Sequence, residues 1–259
     1  MALPPFLSLK EILEKDLAHG SKLMLTTGKP GSGKTGFLVG IASRLTDYEI
    51  CVWRGLRGIH GDEFRFPGKL KIFGYQCCPE YRDGEGKTVK ITVNTVNSPD
   101  QFLRECELGK LNVIYMPETE ERKHWIAFIR WLGRKRFPFN YASPYVSLFI
   151  DEIGDLLPSA QRKKGVSQDV GEFLDEMKEF RNFIISLYCA TQNFFDIDYM
   201  GFWKFQYRVY LPGAKVPRRE RIFQQMVDGL KLGSGVITGS YFSRFTFGNY
   251  PRKRIVVVR

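Results

Sequence analysis

The eight residues Gly28-Lys-Pro-Gly-Ser-Gly-Lys34-Thr35 constrain this chain more than any other feature. They fit G-x-x-x-x-G-K-[ST], between an apolar run over 22–27 and a stretch of helical character over 35–45. Strand, tight turn and helix in that order let the pattern close around a phosphate. Gly28, Gly31 and Gly33, with Ser32 between them, let the backbone wrap with its N–H groups pointing inward. The helix beginning there adds the positive end of its dipole. Lys34 then reaches the β- and γ-phosphates of a nucleotide, and the Thr35 hydroxyl coordinates Mg²⁺. ATP and Mg²⁺ are the expected ligands.

Such a turn needs a sheet to stand on. Runs over 49–54, 111–116, 145–150, 183–190 and 205–210 read as strands, and 98–108, 118–136, 167–181 and 217–229 as helices. Strands alternating with helices predict an α/β fold with a mainly parallel sheet. Residues 6–19 read as an amphipathic helix carrying Leu9, Ile12, Leu13 and Leu17, with Ser8 and Glu11 as a capping box. Residues 55–97 are rich in Gly, Pro and charge. Stretches at 69–75 and 88–94, joined by Arg82-Asp-Gly-Glu-Gly86, predict a β-hairpin insertion. Residues 235–247 and 254–258 predict a β-rich C-terminal end. No linker divides the chain, so one domain over 1–259 is expected.

Two strand ends carry further chemistry. Val146-Ser-Leu-Phe-Ile150 ends in Asp151-Glu152. A buried carboxylate there suits Mg²⁺, and Glu152 beside it suits a general base for the attacking water. Leu187-Tyr-Cys-Ala190-Thr191 ends in Gln192, an amide able to orient that water or sense the γ-phosphate. Arg181, just upstream, has the planar, always-charged fork of a phosphate clamp.

Composition limits the alternatives. In 259 residues, 43% hydrophobic and 26% charged, there is enough apolar material for a core, which excludes a disordered or low-complexity chain. No apolar run approaches the roughly 18 residues of a spanning helix, and Met1-Ala-Leu-Pro-Pro-Phe lacks a basic n-region. A cytoplasmic protein is expected. Five cysteines without a C-x-x-C pair support neither zinc nor a disulfide framework. The net charge of +11, from 39 Lys+Arg against 28 Asp+Glu, invites an anionic partner. Arg162, Lys163 and Lys164 follow the acidic strand end, and Arg218 and Arg219 stand in a second basic cluster. Such groups suit DNA backbone contact without sequence readout.

The Gly28–Thr35 turn, Asp151-Glu152 and Thr191-Gln192 together resemble the FtsK–HerA superfamily of P-loop ATPases. Ile150-Asp-Glu-Ile-Gly-Asp-Leu-Leu-Pro158 and Asn193-Phe-Phe-Asp-Ile-Asp198 are similar to the corresponding stretches of its Zot-type and genome-packaging members. The resemblance implies a RecA-like core with the glutamine strand between the other two. It implies an oligomeric ring, a hexamer for example, in which Arg181 acts on the neighbouring subunit's ATP. Function would be DNA translocation in packaging or transfer of a viral or plasmid genome, with a capsid or membrane partner. Asn193-Phe194 stand where many members have Arg-Pro, and 55–97 has no counterpart. A Zot-like virion-assembly ATPase and an ATP-gated nucleic-acid-binding protein without turnover are the alternatives. A GTPase is disfavoured because no Asn-Lys-x-Asp is present.

Overall fold

The computed structural model describes residues 6–12, 21–57, 61–135, 145–159, 167–180, 182, 185–240, 242–251 and 255–258. In chain order the elements are β1 (Phe6–Ser8), α1 (Leu9–Ile12), β2 (Leu23–Thr27), α2 (Lys34–Leu45), β3 (Glu49–Arg54), β4 (Lys69–Tyr75), β5 (Glu80–Asp83) and β6 (Val93–Val96). Then come α3 (Pro99–Glu105), β7 (Lys110–Tyr115), α4 (Glu121–Lys135), β8 (Tyr145–Ile150), α5 (Ser167–Glu179), β9 (Ile185–Thr191) and α6 (Tyr199–Lys204). The chain finishes with β10 (Tyr207–Tyr210), α7 (Gln224–Asp228), β11 (Ser234–Gly239), β12 (Ser243–Thr246) and β13 (Ile255–Val258).

Among the described residues an eleven-stranded sheet runs β1-β12-β11-β10-β2-β9-β8-β3-β7-β4-β6. From β10 through β6 every neighbouring pair is parallel, and β11 is antiparallel to both β10 and β12. The expected α/β fold with a mainly parallel sheet is present. The glutamine strand β9 lies between β2 and β8, pairing Thr191 with Thr27 and Cys189 with Ile150.

The central strands are buried along their whole length because both faces are covered. On one face Leu25, Val52, Leu148 and Leu187 pack with Trp125 and Phe128 of α4 and Phe173 of α5. On the other, Met24, Trp53, Phe149 and Tyr188 pack with Phe37, Leu38 and Ile41 of α2. The alternation of successive residues between two cores is the period of a strand. Helices α4 and α5 are tied by Arg130, which bonds Glu176 at 2.9 Å and Glu172 at 2.8 Å.

Several expectations need correction. Residues 69–75 and 88–94 do not form a hairpin: β4 and β6 pair in parallel, Ile72 opposite Val93, and extend the central sheet. The turn at 82–86 does reverse the chain, with the Asp83 N–H bonded to the Lys87 carbonyl at 2.9 Å. It serves β5, which leaves the sheet and pairs antiparallel with β13. The chain between β4 and β6 is thus spent on a second sheet and itself makes the long crossover that a parallel pair requires, while α3 carries the chain from β6 to β7. Residues 6–8 are a strand rather than the start of a helix, because β12 offers them a parallel edge. The capping box still forms: the Ser8 N–H donates to Glu11 Oε2 at 2.6 Å and the Glu11 N–H to Ser8 Oγ at 3.2 Å. The rest of the expected N-terminal helix lies outside the described residues. Of the helix expected over 217–229 only α7 forms. Glu220 turns inward instead, to Arg208 at 2.6 Å and Tyr210 at 3.0 Å.

Candidate nucleotide site

The turn after β2 has the backbone its glycines allow. Gly31 and Gly33 take φ of +78° and +94°, where a side chain would be strained. A Cβ on Gly28 would lie 2.4 Å from Ser32 Oγ and 3.1 Å from Leu211 Cβ. The Phe37 N–H donates to the Gly33 carbonyl at 2.8 Å, so α2 starts directly from the turn. Inside it, Ser32 Oγ is buried without a hydrogen-bond partner among the described residues. A buried orphan hydroxyl inside a glycine-rich turn at a helix start fits a phosphate oxygen.

Lys34 is folded back on the turn, donating to the Gly28 carbonyl at 2.9 Å and the Lys29 carbonyl at 3.2 Å. Burial lowers its pKa, opposed by the carboxylates of Glu152 and Asp151. Thr35 Oγ1 lies 2.6 Å from Asp151 Oδ2. That hydroxyl and carboxylate, from α2 and the end of β8, are the oxygen donors suited to Mg²⁺. Burial raises the Asp151 pKa, and the Thr35 hydrogen bond opposes it.

Glu152 follows in the left-handed conformation, with φ of +56°. Burial first, then the neighbouring Asp151 charge, lift its carboxyl to about 7, against Lys34 and a hydrogen bond from Gln192. A carboxylate poised near neutrality is suited to accept a proton from water. Gln192 reaches it because β8 and β9 are neighbours whose tips end together.

One cleft of about 580 Å³ is lined by Gly31, Gly33, Lys34, Thr35, Asp151, Glu152 and Gln192. Residues absent from the sequence-based site line it too, among them Arg54, Arg57, Glu63 and Arg65. Arg54 ends β3, the strand beside β8, and is 2% exposed. It donates to Glu121 Oε1 at 2.9 Å, lies 3.3 Å from Asp155 Oδ2, and bonds the Glu152 carbonyl at 3.3 Å. It therefore holds the strained Glu152 backbone in place. Its one signal in the sequence is an arginine closing the apolar run over 49–54.

The other expected residues are not gathered there. Arg181 and Arg162, Lys163 and Lys164 lie outside the described residues. Arg218 and Arg219 are exposed on the turn before α7, and Arg219 donates to the Tyr199 hydroxyl at 2.9 Å. Neither lines the cleft.

No protein-family model matches the sequence, and no curated protein matches it. Solved structures match in fold. The genome packaging NTPase B204 from Sulfolobus turreted icosahedral virus 2, in complex with sulfate, is 12% identical with a TM-score of 0.56, over 90% of this chain and 100% of that chain. The same NTPase in complex with ATP-gammaS gives 0.51 at 12% identity, over 88% of this chain and 98% of that one. B204, the DNA-packaging ATPase from Sulfolobus turreted icosahedral virus, gives 0.52 at 11% identity, over 89% of this chain and 100% of that one. The chain has the fold of these NTPases.

Proposed function

We propose that this chain is a P-loop ATPase of the FtsK–HerA type, a homo-oligomeric ring that hydrolyses ATP to move DNA, as in packaging or transfer of a viral or plasmid genome. One observation carries this reading: Lys34, the Thr35–Asp151 pair, Glu152 and Gln192 converge on one cleft at the ends of three adjacent parallel strands. Lys34 exchanges its two carbonyl partners for the β/γ-phosphate oxygens, while the N–H groups of the turn and Ser32 Oγ hold the others. Mg²⁺, when bound, neutralises phosphate charge, and Thr35 and Asp151 are the residues that would hold it. Glu152 accepts the proton of the attacking water, and Gln192 orients that water. Arg181 acts on the site of a neighbouring subunit. The DNA backbone meets Arg162, Lys163, Lys164, Arg218 and Arg219. The ring works in the cytoplasm, against a capsid or membrane partner.

Steady-state ATPase rates with and without double-stranded DNA, at low and high salt, test the reading. Wild type should turn over faster with DNA, and the stimulation should fade at high salt. Lys34→Ala should abolish turnover, and Glu152→Gln should cut kcat by about 10²- to 10⁴-fold. Turnover indifferent to DNA would overturn translocation in favour of virion assembly. Tight ATP binding without turnover would leave an ATP-gated nucleic-acid-binding protein.

A further inference from the structure

Two arginines stand close together at the end of β3 and differ in one respect. Arg54 uses the side-on edge of its guanidinium, Nε and Nη2, on Glu121, both at 2.9 Å. Arg208 uses the same edge bidentately on Glu220, at 2.6 and 3.2 Å. In Arg57 that edge is shielded from solvent, and neither Nε nor Nη2 has a hydrogen-bond partner among the described residues. Arg57 also interacts with the Cys77 thiol. Arg65, also after β3, is ion-paired with Asp62 at 3.3 Å, while its buried Nε has no hydrogen-bond partner among the described residues.

A buried cationic fork left open costs free energy comparable to several hydrogen bonds. Such a cost persists where a ligand recovers it. Both side chains line the cleft that holds Lys34 and Glu152. The nearby carboxylate of Glu63 does not compete for them, because it is bonded to the Tyr115 hydroxyl and pushed up to about 7 by burial. Placement adds direction. Strand β3 flanks β8 on the side away from β9 and β2, so Arg57 and Arg65, which follow β3, line the cleft from the β3 side of Glu152.

We propose that Arg57, seconded by Arg65, is a cis-acting clamp on the terminal phosphate of the chain's own nucleotide, its side-on fork meeting two γ-phosphate oxygens. This rests on the ATPase reading and extends it: the site would distinguish ATP from ADP from within the subunit, independently of Arg181. An arginine fork is suited to this because it matches phosphate geometry bidentately, which a lysine does not.

Calorimetric titration of the full chain with ATPγS and with ADP, both with Mg²⁺, tests it. Arg57→Ala should weaken ATPγS by about ten- to a hundredfold and leave ADP within about twofold. Unchanged ADP affinity also shows an intact cleft. Arg57→Lys should recover little of the loss, and it carries the test if Arg57→Ala fails to give a cooperative thermal transition. Equal losses for both nucleotides, or no loss for either, would overturn the proposal. Mixed oligomers of Arg57→Ala and Lys34→Ala subunits should show no recovered ATPase; recovery would mean that Arg57 serves a neighbour and would overturn the cis assignment. Wild type binding no better than Lys34→Ala would instead sink the ATPase reading itself.

Discussion

Single residues set the tone of the cleft. On the proposed reading Arg54 is a positioning residue, since it bonds the Glu152 carbonyl and not the nucleotide. Replacing it with Met keeps the stem and removes every polar contact. Its partners Glu121 and Asp155 are 31% and 59% exposed and can be rehydrated, so the stability cost should be modest, about 1–3 kcal/mol by urea unfolding. The larger expected effect is on kcat, about tenfold or more with ATP affinity retained, because Glu152 loses its anchor. Glu63 makes a pH prediction. It faces Asp62 on its own turn, Tyr115 on β7 and Tyr81 on β5, and burial raises its carboxyl from 4.5 to about 7. The folded state therefore holds this proton more tightly than the unfolded chain. Its contribution is fully present below about pH 4.5 and is lost as pH rises through 7, an effect of about 3 kcal/mol. Glu63→Gln can still accept from Tyr115 but cannot ionise. Urea midpoints should match wild type near pH 4.5 and exceed it at pH 8; parallel curves would show that Glu63 does not titrate in this window.

At the scale of elements, legibility followed the period of the pattern. The runs at 49–54 and 145–150 became β3 and β8 with unchanged limits, because a strand buried on both faces is a continuous apolar run. The helix expected over 98–108 forms as α3, and Ser98 caps it by accepting the Gln101 N–H at 3.1 Å. Pairing was not legible. The stretch at 69–75 has the same limits as β4, yet its partners are β7 and β6, and the hairpin inferred from a nearby turn signal belongs to β5. The helix expected over 217–229 failed because a basic run says nothing about Arg208 and Tyr210, which draw Glu220 inward. Gly239 at the end of β11 shows how tight the antiparallel margin is. Its φ is +104°, and a Cβ there would stand 2.0 Å from the Gln206 carbonyl oxygen. Gly239→Ala should destabilise by more than about 2 kcal/mol in thermal unfolding, whereas Ser98→Ala should cost about 1 kcal/mol.

For the whole molecule, ligand and fold are one equilibrium. ATPγS with Mg²⁺ at a hundred times its Kd adds about 2.7 kcal/mol, which in a chain of this size lifts Tm by about 5–10 °C. Chelating Mg²⁺ should remove most of that rise, and Lys34→Ala should remove all of it; a rise that survives Lys34→Ala would place the nucleotide elsewhere. The sequence alone determined the glycine turn over 28–35, the acidic pair at 151–152 and the buried runs, because each depends on spacing within a few residues. That the glutamine strand lies between the other two came from the resemblance, and β9 does lie between β2 and β8. Only the tertiary structure decided that β3 lies next to β8, and hence that Arg54 holds Glu152 and that Arg57, Glu63 and Arg65 line the same cleft. The physical reason is the parallel sheet itself: its neighbours are joined through crossovers, so which strand tips meet depends on how the helices pack, not on any stretch of sequence near the tips.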